Sequence, residues 1–205
     1  MAEMIGSPIG PLDAWAVRFT GLAPAVSLAS EPMPQVVVRT DNAGVIEALD
    51  LPSACRIRRY RNETAIWLGP DEWLLTHEGM APHEWVAEVE GRVSIRGSFV
   101  AATRPTNGAY VLDASGQRTR LVLGGPHATA ILRHGCAIDL SPEAFGDNDV
   151  AQTLLAQAGV IVHREHDRNG TGDGFVLYVR SSFAEYLAEW IVDAATEYLL
   201  PHPTS

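Results

Sequence analysis

The chain has 205 residues, of which 46% are hydrophobic and 20% are charged. These proportions are ordinary for a globular protein and argue against global disorder. The formal net charge of −10 argues against nucleic acid as a partner, because a polyanion repels an acidic surface. The densest basic run alternates along a predicted strand, which favours a solvated strand face or a partner contact over a phosphate site. It consists of Arg56, Arg58, Arg59 and Arg61.

The two cysteines, Cys55 and Cys136, belong to no Cys-x-x-Cys pair, so the sequence predicts neither a disulfide framework nor a zinc site. The N-terminus lacks a basic region followed by a long apolar run. No apolar run approaches the roughly 18–20 residues that span a bilayer. We therefore expect a soluble cytoplasmic protein without membrane contact.

A proline-rich segment covers residues 1–34. Its five prolines exclude a long helix, and they are Pro8, Pro11, Pro24, Pro32 and Pro34. Trp15, Val17 and Phe19 form one short alternating run in this segment. Because bare tryptophan and phenylalanine are costly in water, we expect an extended arm that lies on its own domain or on a partner.

Residues 35–200 are predicted to form a single α+β domain of two similar halves, each with a mostly antiparallel sheet and helices on one face. The first half, about 35–91, reads as strand, helix, three strands, helix. Asp41 or Asn42 caps its first helix, and turns are expected at Asn62–Glu63 and Pro70–Asp71. A connector at 92–107 joins the halves.

The second half, about 108–200, repeats this order. Its first helix is expected to begin at Pro126, which suits a first helical position, and to end at a left-handed Gly135. A helix at 149–158 is an alternative, but a turn at Ala158–Gly159 favours a strand at 152–157. The last helix carries a stripe that we interpret as core, with a partner-helix groove as the alternative. The stripe consists of Phe183, Tyr186, Leu187, Trp190, Ile191, Ala194 and Tyr198.

Histidine and cysteine patterns do not predict a metal site or a nucleophile. His163 and His166 are three apart in a predicted strand, which sends their side chains to opposite faces. His134 and Cys136 flank Gly135, but a closed metal site needs three or four ligands. The C-terminal end of a helix also raises a thiol pKa, so Cys136 is better interpreted as a small buried hydrophobe.

Glycine-rich and acidic motifs are likewise interpreted as structural. Gly170, Gly172 and Gly174 precede a strand, whereas a dinucleotide fingerprint follows one, so a hairpin loop is expected. The run 124–126 is interpreted as a tight strand-to-helix corner, although an anion site remains the alternative. Asp71 and Glu72 are adjacent and would point apart on a strand, which disfavours an acid/base pair, and Asp71 is better assigned to the turn. Trp67, Trp73 and Leu75 are assigned to a packed strand face. The sequence thus predicts no catalytic, cofactor-binding or metal-binding residue in this chain.

Five stretches together resemble the gamma subunit family of heterotetrameric sarcosine oxidase, over roughly residues 35–200. The most specific is WLGPDEWLL at 67–75. The others are 110–132 (YVLDAS…LVLGGPHATAIL), GCAIDL at 135–140, AQTLLAQAGVIVHR at 151–164 and RSSFAEYLAEWIVDAATEY at 180–198.

This resemblance implies a fold similar to the folate-binding aminomethyltransferases, which include the glycine cleavage T protein. It implies a complex that demethylates sarcosine oxidatively to glycine and hydrogen peroxide, and that passes the methylene unit to tetrahydrofolate. FAD, FMN and NAD are expected in the alpha and beta subunits and zinc in the delta subunit. No cofactor is expected in this chain, which would assist assembly and wall a route between sites. A stand-alone folate-binding or aminomethyltransferase-like protein is the alternative, as is the equivalent subunit of an oxidase or dehydrogenase for another N-methylated amino acid.

Overall fold

The computed structural model describes residues 10–94, 108–166 and 173–199. In chain order its elements are α1 (Ala16–Thr20), β1 (Ser27–Ser30), β2 (Gln35–Thr40), α2 (Ala43–Ala48), β3 (Ile57–Tyr60), β4 (Glu63–Gly69), β5 (Glu72–His77), α3 (Pro82–Ser94), β6 (Ala109–Asp113), β7 (Arg118–Gly125), α4 (Ala128–Arg133), β8 (Val150–Leu155), β9 (Ala158–His166), β10 (Asp173–Arg180) and α5 (Ala184–Leu199). Single 3₁₀ turns precede α1 and α5.

The strands form two five-stranded antiparallel sheets. The first sheet has the order β3-β4-β5-β2-β6 and the second has the order β8-β9-β10-β7-β1. The unit strand, helix, three strands, helix runs from β2 to α3 and again from β7 to α5. The predicted α+β class with two antiparallel halves is confirmed.

The fifth strand of each sheet comes from the segment just before the other repeat: β6 precedes the second repeat but joins the first sheet, and β1 precedes the first repeat but joins the second sheet. β6 pairs with β2, with Leu112 opposite Val37. β1 pairs with β7, with Leu28 opposite Leu123. The structure therefore places residues 109–113 in the first sheet, although the sequence assigned them to the second half. Alternating apolar residues identify a strand but not the strand beside it.

The two sheets pack face to face between outer layers of helices. An apolar cluster joins the inner faces, and its members include Val37, Ile66, Leu74, Ile161 and Val176. Helices α2 and α3 cover the outer face of the first sheet. Helices α4 and α5 and the segment 12–28 cover the outer face of the second. No helix in the described ranges is long and apolar enough to cross a membrane.

The described part of the predicted N-terminal arm is extended only in its second half. Residues 13–20 form a 3₁₀ turn and α1, and β1 joins the second sheet. Trp15 and Phe19 are four apart, so one helical turn brings their ring centroids to 6.1 Å. Val17, between them, is 82% exposed, whereas Phe19 is buried in the core. The apparent alternation was wrong because the period is helical.

Two predicted turns are shifted in the structure. The first hairpin turns at 61–62, because the Glu63 side chain is buried and pairs with Arg58 and Arg92. The second turns at 156–157, where Ala156 has a φ of +53°. Residues 150–155 are a strand, so the alternative helix there is wrong.

The corner around α4 differs from the prediction in its details. Helix α4 begins at Ala128 after an N-cap at His127, so Pro126 precedes the helix and is not its first residue. In the first half, Asn42 and not Asp41 caps α2. Gly135 is not left-handed; a Cβ there would lie 2.6 Å from the Trp190 ring and 2.9 Å from the Ala156 nitrogen. Close packing, and not backbone conformation, therefore explains this glycine.

The predicted stripe on α5 is buried only in part. Leu187 and Ile191 are fully buried, but Phe183 and Tyr186 are 45% and 40% exposed. The buried face is centred one position further round the helix, where small side chains lie close to the sheet. These are Ala184, Ala188 and Ala195. Helix α3 continues to Ser94, and the rest of the predicted connector, 95–107, lies outside the described residues.

Candidate functional site

A polar cavity of about 280 Å³ lies between the two sheets, at one end of the apolar layer. In the first sheet, Arg59, Thr64 and Thr76 stand in register on β3, β4 and β5. Each lies two residues along its strand from a member of the apolar cluster and therefore faces the same inner side of the sheet. The cluster members are Ile57, Ile66 and Leu74. Thr64, Thr76 and Arg59 therefore line the cavity as the continuation of a buried face.

The second sheet supplies the opposite wall. Arg120 of β7 is paired with Tyr178 of β10, and both line the cavity together with His163 and Glu165 of β9. Arg120, His163 and Tyr178 are all buried. The β3–β4 turn forms the rim, where Arg61 and Asn62 are exposed. Both halves of the chain thus contribute to one polar space.

Arg120 is a buried cation held between two carboxylates. Its side chain is 3% exposed and forms ion pairs with Glu31 and, at 3.1 Å, with Glu165. Burial lowers the pKa of Arg120, but Tyr178 and the two carboxylates outweigh burial and leave that pKa raised. The Arg120 Nε is buried and has no hydrogen-bond partner among the described residues. One donor of this guanidinium is therefore available to the cavity.

Arg59 connects the edge of the first sheet to the second sheet. Its Nη1 donates to the Asp147 carbonyl at 2.7 Å, and its Nη2 donates to the Arg164 carbonyl. The same Nη2 lies 3.0 Å from His163 Nδ1. Burial lowers the Arg59 pKa, although Glu165 and Asp147 act in the opposite direction. Arg59 therefore both braces the sheets and adds positive charge to the cavity wall.

His163 is neutral and incompletely hydrogen-bonded. Burial lowers its pKa to about 3, and the cations of Arg59 and Arg120 also lower it. Its Nδ1 lies 2.9 Å from the Arg164 carbonyl and 3.0 Å from Arg59 Nη2, so it either donates to the first or accepts from the second. In both tautomers the buried Nε2 has no partner among the described residues.

Tyr178 remains a protonated phenol. Burial raises its pKa, while Arg120 and hydrogen bonding with Thr76 act in the opposite direction. The cavity walls thus carry three guanidinium groups, from Arg59, Arg61 and Arg120, against the carboxylates of Glu78 and Glu165. This arrangement suits hydrogen bonding to a small acceptor. No group of three histidine, cysteine or carboxylate side chains in the described ranges is placed to hold a metal ion.

Three arginines of the predicted basic run bind the chain itself. Arg56 pairs with Asp149, Arg58 pairs with Glu63, and Arg59 makes the cross-sheet contacts described above. Arg56 and Arg59 are nevertheless exposed, as the predicted solvated face requires, whereas the Arg58 side chain is only 17% exposed and that prediction is wrong for it. Arg61 is exposed and stacks over the Tyr60 ring at 5.2 Å. The sequence pattern could not reveal the carboxylates of a distant segment.

The predicted His134–Cys136 neighbourhood is divided between two environments. His134 Nε2 lies 3.1 Å from the Tyr198 hydroxyl and 3.8 Å from a Glu197 carboxylate oxygen. Cys136 packs, partly buried, against the core of the second sheet, as expected for a small hydrophobe. Cys55 is exposed, and both cysteines are free thiols.

The acidic pair converges on one cation. Asp71 and Glu72 lie 3.0 Å and 3.9 Å from the Arg39 guanidinium. The predicted turn at Pro70–Asp71 is confirmed. Because Asp71 lies in this turn and Glu72 begins the strand, both carboxylates reach the same guanidinium. The predicted packed face of Trp67, Trp73 and Leu75 is confirmed.

The predicted glycine loop lies mostly outside the described residues. Gly170, Gly172 and the side chain of His166 fall there, and Gly174 is in β10. The sequence did not predict the cavity. Its signal was present in the strands, where Thr64, Thr76 and Tyr178 stand two residues from apolar residues on the same inward face.

The sequence model of the sarcosine oxidase gamma subunit family matches residues 40–197. The chain belongs to this family. The sarcosine oxidase gamma subunit of an Arthrobacter species is 38% identical over 136 residues, which are 66% of this chain and 58% of that protein. The gamma subunit from Corynebacterium sp. strain P-1 is 36% identical over 65% of this chain and 57% of that protein. The matched region thus spans less than two thirds of these relatives.

Two solved structures are similar along most of the chain. A chain of the heterotetrameric sarcosine oxidase from Corynebacterium sp. U-96 has a TM-score of 0.78 and 26% identity, covering 96% of this chain and 98% of that chain. The glycine cleavage system aminomethyltransferase T from Bartonella henselae has a TM-score of 0.60 and 18% identity, covering 90% and 49%. The second likeness concerns the fold alone, and it confirms the predicted aminomethyltransferase-like fold.

Proposed function

We propose that this chain is the gamma subunit of a heterotetrameric sarcosine oxidase and serves its assembly. The observation that carries the proposal is the likeness to a chain of such an oxidase, which extends over 98% of that chain at a TM-score of 0.78. The partners in this proposal are alpha, beta and delta subunits. FAD, FMN, NAD and zinc belong to those partners, and the complex works in the cytoplasm.

The reaction in this proposal is the oxidative demethylation of sarcosine to glycine, with hydrogen peroxide formed and the methylene unit passed to tetrahydrofolate. An imine that moves between sites must be kept from water, which favours an enclosed route. We propose that this chain forms part of the wall of that route. Its braced pair of sheets supports such a role, because a wall must hold its shape while the substrate passes.

The free edge of β6 is our candidate for the partner surface. β6 is the last strand of its sheet, and no described strand pairs with its outer side. Tyr110 and Leu112 share one face of β6 and are 51% and 56% exposed, beside an open groove that Arg39 and Asp71 also line. Exposed apolar residues on an unpaired strand edge favour association with another chain.

Omitting this chain tests the proposal. The alpha, beta and delta subunits are co-expressed with and without this chain. Assembly and the yield of methylenetetrahydrofolate per sarcosine oxidised are then measured in both cases. We expect incomplete assembly, or a lower folate yield with more free formaldehyde, when the chain is missing. Normal assembly together with full folate-coupled turnover would refute the proposed role.

The alternative of a stand-alone folate-binding protein has a direct test. Calorimetric titration of the purified chain with tetrahydrofolate should give no tight binding if the chain acts within a complex. Tight binding by the lone chain would favour the alternative. A complex that oxidises N-methylglutamate or dimethylglycine and leaves sarcosine unchanged would assign the chain to a related oxidase or dehydrogenase.

A further inference from the structure

The cavity between the sheets contains two buried polar atoms that the described part of the chain leaves without partners. They are Arg120 Nε and His163 Nε2. Both residues line the same cavity, from neighbouring regions of the second sheet. A buried polar atom without a partner is costly, so two of them beside one space indicate that something else fills their hydrogen bonds.

The chemistry of these two atoms limits what the occupant is. A guanidinium nitrogen only donates, so Arg120 Nε requires an acceptor. His163 Nε2 is also a donor when Nδ1 accepts from Arg59 Nη2, which lies 3.0 Å away. In that tautomer both unpartnered atoms are donors. An oxygen acceptor satisfies both, whereas an ammonium group satisfies neither.

The charge of the walls favours an anion with a single negative charge. Arg59, Arg61 and Arg120 contribute three positive charges, and Glu78 and Glu165 contribute two negative ones. Glu31 lies outside the lining but offsets a further charge, because it pairs with Arg120 together with Glu165. Arg61 at the rim is exposed and has no carboxylate partner among the described residues, so its single charge suits a monoanion better than a phosphate dianion. The volume of about 280 Å³ admits a molecule up to the size of a small amino acid.

We propose that this cavity binds a small monocarboxylate, which accepts hydrogen bonds from Arg120 Nε and His163 Nε2, with Arg61 as the cation at the rim. Thr64 and Thr76 supply hydroxyl groups on the opposite wall. The site lies within this chain alone, so it does not depend on the proposed assembly role.

Acetate is the probe that tests this site. The full chain is titrated with sodium acetate while the imidazole nitrogens are followed by NMR, and the His163 signals are assigned with a His163→Gln variant. Sodium chloride at equal ionic strength and the neutral isostere acetamide are the controls. We expect a saturable shift of the His163 signals with acetate only, and a bound tautomer that carries its proton on Nε2.

Two variants test the residues without disturbing the buried charges. Arg61→Gln should weaken acetate binding about two- to fivefold, the range for an exposed ion pair. Thr64→Val keeps the shape of the side chain and should weaken binding about tenfold if its hydroxyl bonds the carboxylate. Arg18→Gln is the matched control for Arg61, because Arg18 is an exposed arginine that stacks over Trp15 at 4.1 Å.

Three results would overturn the proposal. No saturable shift of His163 with acetate would mean that the cavity holds water alone. An equal shift with chloride or acetamide would mean that no carboxylate site exists. Equal weakening by Arg18→Gln and Arg61→Gln would mean that binding reflects overall charge and not this cavity.

Discussion

Arg120 of β7 and Glu165 of β9 form an ion pair across the strand that separates them, with 3.1 Å between Arg120 Nη2 and Glu165 Oε2. Glu31, just after β1, pairs with the same guanidinium. This buried cation therefore connects three strands of the second sheet and the segment that leads into the first. The polar end of the inter-sheet space depends on this arrangement.

The Arg120–Glu165 pair should show stronger coupling than an exposed pair of similar length. In a double-mutant cycle with Arg120→Met and Glu165→Gln, we expect a coupling free energy of about 1–3 kcal/mol, because the pair is largely shielded from water, with side chains 3% and 23% exposed. The Arg39–Asp71 pair, at 3.0 Å with side chains 52% and 49% exposed, is the control and should couple by less than about 1 kcal/mol. Equal coupling in urea denaturation of both pairs would contradict the account.

His163 should make the fold sensitive to mild acid. Its folded pKa of about 3 lies below the unfolded value of 6.5, so the unfolded chain takes up a proton first as the pH falls. The stabilising contribution is complete above pH 6.5 and declines by roughly 1 kcal/mol per pH unit as the pH falls towards 3. Urea denaturation of the wild type and His163→Gln at several pH values measures this. As the pH falls, the wild type should lose free energy of unfolding relative to His163→Gln. A difference between the two that does not change with pH would contradict the burial of His163 in its neutral form.

Gly135 should not tolerate a side chain. Gly135→Ala places a Cβ 2.6 Å from the Trp190 ring, which forces α5 or the preceding segment to move. We expect a loss of about 1–3 kcal/mol in the free energy of unfolding, the range for overpacking. Gly116→Ala is the control, since nothing lies within 4 Å of its added Cβ, and it should change the free energy by less than about 0.5 kcal/mol. Similar effects of both changes would remove the packing explanation.

The proposed partner surface on β6 is tested by substituting two leucines that lie on edge strands of different sheets. Leu112→Asp should weaken association with the partner subunits, whereas Leu154→Asp on β8, at 60% exposure against 56% for Leu112, should not. Each variant is co-expressed with the partners, and its recovery in the complex is compared by quantitative pull-down. Loss with Leu154→Asp alone would place the interface at the other edge.

The order of elements was predictable because it depends on local patterns. The short apolar runs within 64–69 and 72–77, bounded by turn residues, and the 3.6-residue period of 184–198 each indicate one element without knowledge of its neighbours. The exchange of β1 and β6 between the sheets was not predictable, because pairing of distant strands leaves no mark in either strand alone. Helix α1 was not predicted, because a run of only five residues is compatible with both the helical and the strand period.

The candidate site was harder to predict than the fold. Tyr178 and His163 look like ordinary members of apolar strands, and only the packing of one sheet on the other makes them neighbours of Arg59 and Thr76. Ion pairs such as Arg56 with Asp149 join residues 93 apart in the chain. A single sequence records the charges but not which of them meet.

The composition of the complex that forms around this chain tests the central proposal most directly. An affinity tag on this chain is used to purify it after co-expression with the alpha, beta and delta subunits, and native mass spectrometry gives the masses present. We expect one assembly that contains a single copy of each of the four chains. Recovery of the tagged chain by itself, with the other three assembled and fully active without it, would contradict the account.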